Sequence, residues 1–485
     1  MTTDISTRSS AAPCSPRTSP SGLALAILLL GGFLTVFDLF VVNVAIPSMQ
    51  RSLGADFAEI GFVIAGYELA FGVLLIAGGR LGDRYGRRRL FSVGMIGFAA
   101  TSLLCGIAPD IESLIFARFL QGAAGAMLFP QIYALLRVMY DERRRSRAFG
   151  LLGMTLGLAA ISGQVLGGLI VATDLFGLGW RMIFLVNLPI GITAALLAQH
   201  IPESRTANAP GVDWLGICLA TAGLLFLLLP LLEGPNLKWP LWTFASGAAA
   251  FALITTFLRW EDRLGKQGGD PTIDIRLFRN TNFSIGSLVV FLIYSTATSL
   301  FLSFALLVQS GFGLTAFESG LLFAPASVGF VIASLLAPAL VVRFGPIVLV
   351  FGALTYAGGI GWLIVTGNSL TDRGDVFALL SPLILFGFGQ GLSMTPLLNM
   401  VIGTVAERHA GMAAGIISTM QQIGGAFGVS IAGMFFVAIV AAKDSRIVAR
   451  PLDYADAFAG AMLYNFTAVI SAAILLVLIS RRKPQ

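Results

Sequence analysis

Fourteen apolar stretches, each near the length of a membrane-crossing helix, follow one another from residue 22 to residue 480 with only short polar segments between them. A helix rises 1.5 Å per residue, so about 20 apolar residues are needed to cross a hydrocarbon core. The stretches fall at 22–47, 58–79, 90–108, 113–136, 148–172, 182–199, 213–232, 240–258, 282–309, 317–341, 346–366, 376–402, 410–441 and 458–480. The thirteenth is longer than one span requires. Lipid offers backbone amides no partner, which restricts such a chain to helices that satisfy themselves. Composition agrees: 56% of the 485 residues are hydrophobic and 12% are charged, too apolar for a water-solvated surface around one core. The expected fold is an all-α integral membrane protein.

Positive charge gives the orientation, because Lys and Arg near helix ends are retained on the cytoplasmic side. With both termini inside, 23 of the 31 cations fall in cytoplasmic segments and seven in the opposite loops, while Arg118 lies within the fourth span. Dropping one span would move the later loops to the other side and erase the contrast. The net charge of +6 is thus a matter of topology, and no nucleic-acid partner is implied. The expected location is the cell membrane, with both termini cytoplasmic and the lipid bilayer as solvent. Residues 1–21 read as a disordered cytoplasmic tail and 481–485 as a second tail. Cys14 lies in the first tail and Cys105 and Cys218 in spans, without Cys-x-x-Cys spacing, so neither a metal site nor a disulfide framework is expected.

A faint internal repeat divides the chain. Pro338-Ala-Leu-Val-Val342-Arg343-Phe-Gly345 echoes Gly79-Arg-Leu-Gly-Asp83-Arg84-Tyr-Gly86 at an offset of 259, with Val342 in place of the Asp. Arg147, Gly150, Gly163 and Gly167 match Arg408, Gly411, Gly424 and Gly428 at an offset of 261. Two six-helix halves, 22–199 and 282–480, with two inserted helices in 200–260 and a cytoplasmic connector at 261–281, explain both offsets. Repeats of this kind are common in transporters, with the substrate site between the halves.

Ionisable residues inside a span cost roughly 2.5–3.5 kcal/mol each on insertion scales and are functional candidates for that reason. Asp38 in the first span, Glu68 in the second and Arg118 in the fourth lie at overlapping depths. They form the proton-coupling set expected here, since burial raises a carboxylate pKa and a nearby cation lowers it; the alternative is a static ion pair that fixes helix packing. Asn43, Tyr67, Gln121 and Gln131 are candidate cavity groups in an otherwise apolar lumen. Small residues four apart, Gly163 with Gly167 and Gly424 with Gly428, fit close helix approach. His200 and His409 fall at helix ends on the cytoplasmic side and are not expected to relay protons. No Cys/His cluster, His-Glu-x-x-His or Gly-x-Ser-x-Gly is present, so an enzyme is not expected.

Gly79-Arg-Leu-Gly-Asp83-Arg84-Tyr-Gly86-Arg87-Arg88 resembles the signature loop of the major facilitator superfamily. Phe37-Asp38-Leu-Phe-Val-Val-Asn43-Val-Ala-Ile-Pro47 resembles the first-helix motif of that superfamily's fourteen-helix drug/proton antiporters, with Phe40 where Thr is usual. Arg118-Phe-Leu-Gln121-Gly122 resembles the second motif, whose Arg is associated with proton transfer. Gly163-Gln164-Val-Leu-Gly167-Gly168 resembles the exporter-associated motif of helix 5, with Gln164 where Pro is usual. Gly179-Trp180-Arg181 and Asn187-Leu-Pro189 extend the likeness through helix 6. The resemblance implies a proton-coupled exporter of amphipathic small molecules working by alternating access, driven by the proton gradient without a cofactor and expected to be a monomer. Its signature loop, Gly79, Asp83, Arg84, Gly86, Arg87 and Arg88, would gate the cytoplasmic side. A proton-coupled importer or uncoupled facilitator of the same fold is the alternative.

Overall fold

A computed structural model describes residues 22–206, 211–234, 237–405, 410–441 and 450–481. The tail at 1–21, residues 482–485, Arg408 and His409 lie outside the described residues. Among the described residues, fourteen helices are long and apolar enough to cross a membrane: α1 (Gly22–Leu53), α2 (Phe57–Tyr85), α3 (Arg87–Gly106), α4 (Ile111–Met139), α5 (Arg147–Thr173), α6 (Gly179–His200), α7 (Trp214–Glu233), α8 (Leu241–Lys266), α9 (Thr281–Gly311), α10 (Ala316–Phe344), α11 (Ile347–Asn368), α12 (Arg373–Ile402), α13 (Met412–Val440) and α14 (Pro451–Ser480). Each overlaps one of the expected stretches. The overlong thirteenth is a single helix that loosens into a π-helical turn at Val437–Ala441, and α14 begins at Pro451, earlier than its apolar run indicates.

Local chemistry starts several of these helices. Asp56 and Glu59 close a capping box at the start of α2, as do Asp110 and Ser113 at α4 and Thr315 and Glu318 at α10, so amides without a partner in the first turn are satisfied. The turns from α2 to α3 and from α10 to α11 both hinge on a glycine with positive φ, Gly86 at 112° and Gly345 at 72°. A side chain would be strained there, and the two glycines are the last residues of the 259-residue echo.

Packing repeats as well. α1 lies on α5, α2 on α4, α3 on α4 and α6; correspondingly α9 lies on α13, α10 on α12, and α11 on α12 and α14. The contacts are close because glycines face backbone: a Cβ at Gly122 would strike the Tyr67 carbonyl, and one at Gly387 would strike the carbonyl of Ala326, 259 residues after Tyr67. Between the two sets, α2 meets α13 and α5 meets α10. The same correspondence exchanges these two contacts. The inserted α7 and α8 pack on each other, and α7 also lies against α2 and α13. The end of the bundle bearing the α2–α3 turn, with Arg84, Arg87, Arg88 and Arg89, is its basic face.

Candidate functional site

Five helices of the first half converge on one buried charge pair. Asp38 on α1 and Arg118 on α4 are 0% and 1% exposed, and Arg118 Nη1 donates to Asp38 Oδ2 at 2.6 Å. The other carboxylate oxygen, Oδ1, accepts from Asn187 Nδ2 of α6 at 2.8 Å and from Gln121 Nε2 of α4 at 3.0 Å. Gln121 returns its carbonyl to Arg118 Nη1 at 2.7 Å and donates to Ser102 Oγ of α3, also at 2.7 Å. Arg118 Nε donates to the Val63 carbonyl of α2 at 3.2 Å, and the guanidinium stacks 4.2 Å above the Tyr67 ring. Helical spacing explains the grouping, because Arg118 and Gln121 are three apart and share a face. A carboxylate with three donors is compensated where a lone buried charge could not persist.

Glu68 does not join this pair. Adjacent residues on a helix point about 100° apart, so Tyr67 faces α4 while Glu68 faces the seam with the second half. There its Oε1 accepts from Thr298 Oγ1 of α9 at 3.3 Å, its Oε2 has no hydrogen-bond partner among the described residues, and the residue is 2% exposed. Gly425 of α13 closes over it: a Cβ at that position would lie 2.5–2.8 Å from the three carboxyl atoms.

The four expected cavity groups are all buried within the first half. Gln121 and Tyr67 belong to the ion-pair cluster described above. Gln131 donates to the Gly78 and Met127 carbonyls at 2.8 and 3.0 Å, where it seals α2 against α4. Asn43 donates to Leu39 of its own helix at 3.1 Å, and its carbonyl has no partner. In this conformation they are therefore packing and network groups, not an exposed lining. On α5, a Cβ at Gly163 would lie 2.8 Å from Phe40 Cβ and 3.0 Å from the Phe37 carbonyl, and Gly167 packs on Val41, so both fit α5 to α1. Gly168 faces the other half at the Ala316 carbonyl, the Gln164 carbonyl backs onto Gly320, and the Gln164 side-chain amide is buried without a partner.

Bridges from α1 and α5 to α9 and α10 sit toward the face opposite the basic one. Gln309 donates to the Val44 carbonyl at 3.0 Å, and the Phe40 and Phe301 rings meet edge to face with centroids 4.9 Å apart. The α2–α13 seam is longer, running from Phe57 against Phe436, through Thr419 donating to the Gly72 carbonyl at 2.9 Å, to Gly415 beside Ile76.

Among the described residues, the signature turn binds the linker after α6. Asp83 Oδ1 accepts from Arg87 Nη2 at 2.6 Å, and Arg87 also donates its backbone amide to the Ser204 carbonyl at 2.9 Å. Glu203 accepts from the backbone amides of Arg88 and Ser204, each at 3.0 Å, and lies 3.6 Å from the Arg88 guanidinium. Gly86 leaves room for that carboxylate, since a Cβ there would lie 2.9 Å from it. Arg80 donates to the carbonyls of Gly211, Asp270 and Pro271, which ties the turn to both linkers of the inserted pair. Gly79 packs loosely near Pro130, and Arg84 lies over the Tyr85 ring. We expect Glu203→Gln to loosen this brace: amide hydrogen exchange at Arg88 and Ser204 should rise while exchange along α2 stays unchanged.

Sequence reasoning left Ser102, Asn187, Glu203 and Thr298 without roles. Asn187 stood in a motif already noted, and its nearness to Asp38 was the missing information. Ser102, Glu203 and Thr298 carry no signal short of the helix rotations.

Fourteen spanning helices, two similarly packed sets of six and a compensated charge pair inside one of them define a multi-pass membrane transporter. The sequence profile of the Major Facilitator Superfamily matches residues 28–429, and the chain belongs to that superfamily, whose members are transporters and not enzymes. A probable actinorhodin transporter of Streptomyces coelicolor is 34% identical over 427 residues, spanning 88% of this chain and 74% of that protein. The cephamycin export protein CmcT of Amycolatopsis lactamdurans is 32% identical over 471 residues, spanning 95% and 93%. The puromycin resistance protein pur8 of Streptomyces alboniger is 34% identical over 412 residues, spanning 84% and 80%. Among solved structures, a peptide transporter POT in complex with sulfate aligns with a TM-score of 0.68 at 14% identity, covering 96% of this chain and 97% of that one. An inward-facing bacterial homologue of the lysosomal transporter Spinster aligns at 0.61 and 16% identity, covering 96% and 97%. These two share the fold.

Proposed function

We propose that this protein exports amphipathic small molecules, antibiotics or related metabolites, in exchange for protons, by alternating access across the cell membrane with both termini in the cytoplasm. The observation that carries the reading is the Asp38 carboxylate: fully buried, and held by one guanidinium and two amides that come from α4 and α6. A proton on Asp38 removes the charge that holds Arg118. Arg118 then keeps the Val63 carbonyl, the Gln121 carbonyl and the Tyr67 ring as partners, so the cluster has a second arrangement that leaves no cation bare. Because its members lie on α1, α2, α3, α4 and α6, a change here reaches every helix of the half except α5. The proton gradient is the energy source and no cofactor takes part. The signature turn braces the basic face of the first half while the halves separate.

Relatives named for transporting actinorhodin, for exporting cephamycin and for resistance to puromycin support export and the substrate class. The test is expression in a bacterial host lacking its main pumps, with puromycin and ethidium as probes. The expected result is raised resistance and faster energised efflux of at least one probe. Substrate moving inward together with protons would instead favour the importer.

A further inference from the structure

Among the described residues, Glu68 is the one buried carboxylate of the α2–α13 seam that the coupling scheme leaves unused, and it is poorly satisfied. Asp38 has three donors; Glu68 has one hydroxyl at 3.3 Å and an oxygen with no partner. Arg118, a buried cation of the same half, is already paired with Asp38. A buried carboxylate so placed is too costly to keep ionised. No cation fits beside it while the seam is shut, because the backbone of Gly425 leaves less than the space of a methyl group. The seam joins the two halves, so alternating access opens it and presents the carboxyl to the space between them. Two half-buried aromatic rings meet on the helices that carry Thr298 and Gly425, Phe291 on α9 and Phe427 on α13, with centroids 5.5 Å apart. An unpaired carboxyl with aromatic rings on the helices packed against it suits an amphipathic organic cation.

Resting on the alternating-access reading, we infer that Glu68 is an exchange site at the seam, holding a proton whenever α2 and α13 are closed and an organic cation or a proton when they are apart. The nearby hydroxyl of Thr298 is the neutral partner in both states. Cationic cargo thereby displaces one proton at Glu68, in addition to the proton handled at Asp38, and uncharged cargo does not.

Binding of tetraphenylphosphonium to the purified full chain in nanodiscs tests this, with proton release followed in weakly buffered solution. The wild type is expected to bind the cation and release about one proton per cation bound, as linked titration requires. Glu68→Gln is expected to release none and to bind about tenfold more weakly or worse, the scale seen when a buried charge partner is removed. Gly425→Ala retains the acid and crowds its carboxyl atoms in the closed seam alone, so it favours the open state that takes the cation and is expected to bind more tightly while still releasing a proton, which keeps the inference testable should Glu68→Gln fold poorly. No binding by the wild type, undiminished binding and proton release in Glu68→Gln, or weakened binding in Gly425→Ala, overturns the assignment. Whether a pH gradient drives puromycin export is a separate result, and its failure would count against the coupled-export reading without bearing on this measurement.

Discussion

Asp38→Asn is expected to abolish gradient-driven accumulation of puromycin in proteoliposomes while leaving substrate counterflow measurable. One pH unit corresponds to about 1.4 kcal/mol per proton, so a two-unit gradient supports roughly hundredfold accumulation at one proton per substrate. In the variant this ratio should fall to about one. The physical reason is local. Asparagine retains the shape of the side chain and loses the exchangeable proton, so the Gln121 and Asn187 amides can turn to meet it, whereas Arg118 loses its counter-charge. Removing one member of a buried pair destabilises by about 3–5 kcal/mol where nothing else compensates. Counterflow therefore serves as the control: a variant that still exchanges substrate is folded and has lost coupling alone. Wild-type accumulation in Asp38→Asn would remove Asp38 from the mechanism.

The second large effect concerns packing. Gly428→Ala places a methyl group against the Ser295 carbonyl of α9, and backbone on both sides leaves no flexible atom to yield. Overpacking of this kind costs about 1–3 kcal/mol. Gly433→Ala on the same helix meets nothing within 4 Å and gains helix propensity, so it should be neutral or slightly stabilising. Thermal unfolding of the two variants in matched detergent is the measurement. Equal melting temperatures would mean that the α9–α13 contact is looser than the structure shows.

Much of the fold was legible because a membrane imposes a length scale. Runs of about 20 apolar residues can be little other than spanning helices, and all fourteen were found. The overlong thirteenth run was unclear because hydropathy does not register the π-helical turn that ends it. The pair of Asp38 and Arg118 was also within reach, since depth along two helices follows from residue counts. Direction around a helix does not. Glu68 looked like a third member of the cluster, and one residue of rotation relative to Tyr67 sends it to the other half instead. Gln131 looked like a lumen group because a buried amide and a cavity amide are identical in sequence; its partners, the carbonyls of Gly78 and Met127, are visible only once α2 and α4 are packed. The signature turn carried the family resemblance, yet its partners at Ser204 and Glu203 lie more than a hundred residues away, and pairing at that distance leaves no mark in spacing.

The brace and the seam together suggest how the parts move. The basic turn is bonded to its own half and to the linkers of α7 and α8, and the contacts that join α1 and α5 to α9 and α10 lie toward the opposite face. Each half is thus stiffened internally, and the places free to change are the two seams. Asp38 sits behind one of them and Glu68 within it.

The central claim is that substrate and protons cross in opposite directions, and the most direct measurement follows both fluxes at once. Wild-type protein is reconstituted into liposomes with a pH-reporting dye inside, and puromycin is supplied on one side under an imposed pH gradient. The account requires substrate-dependent dissipation of the gradient, with protons entering the compartment that puromycin leaves. Substrate flux that leaves the gradient untouched, or that runs in the same direction as the protons, would contradict it.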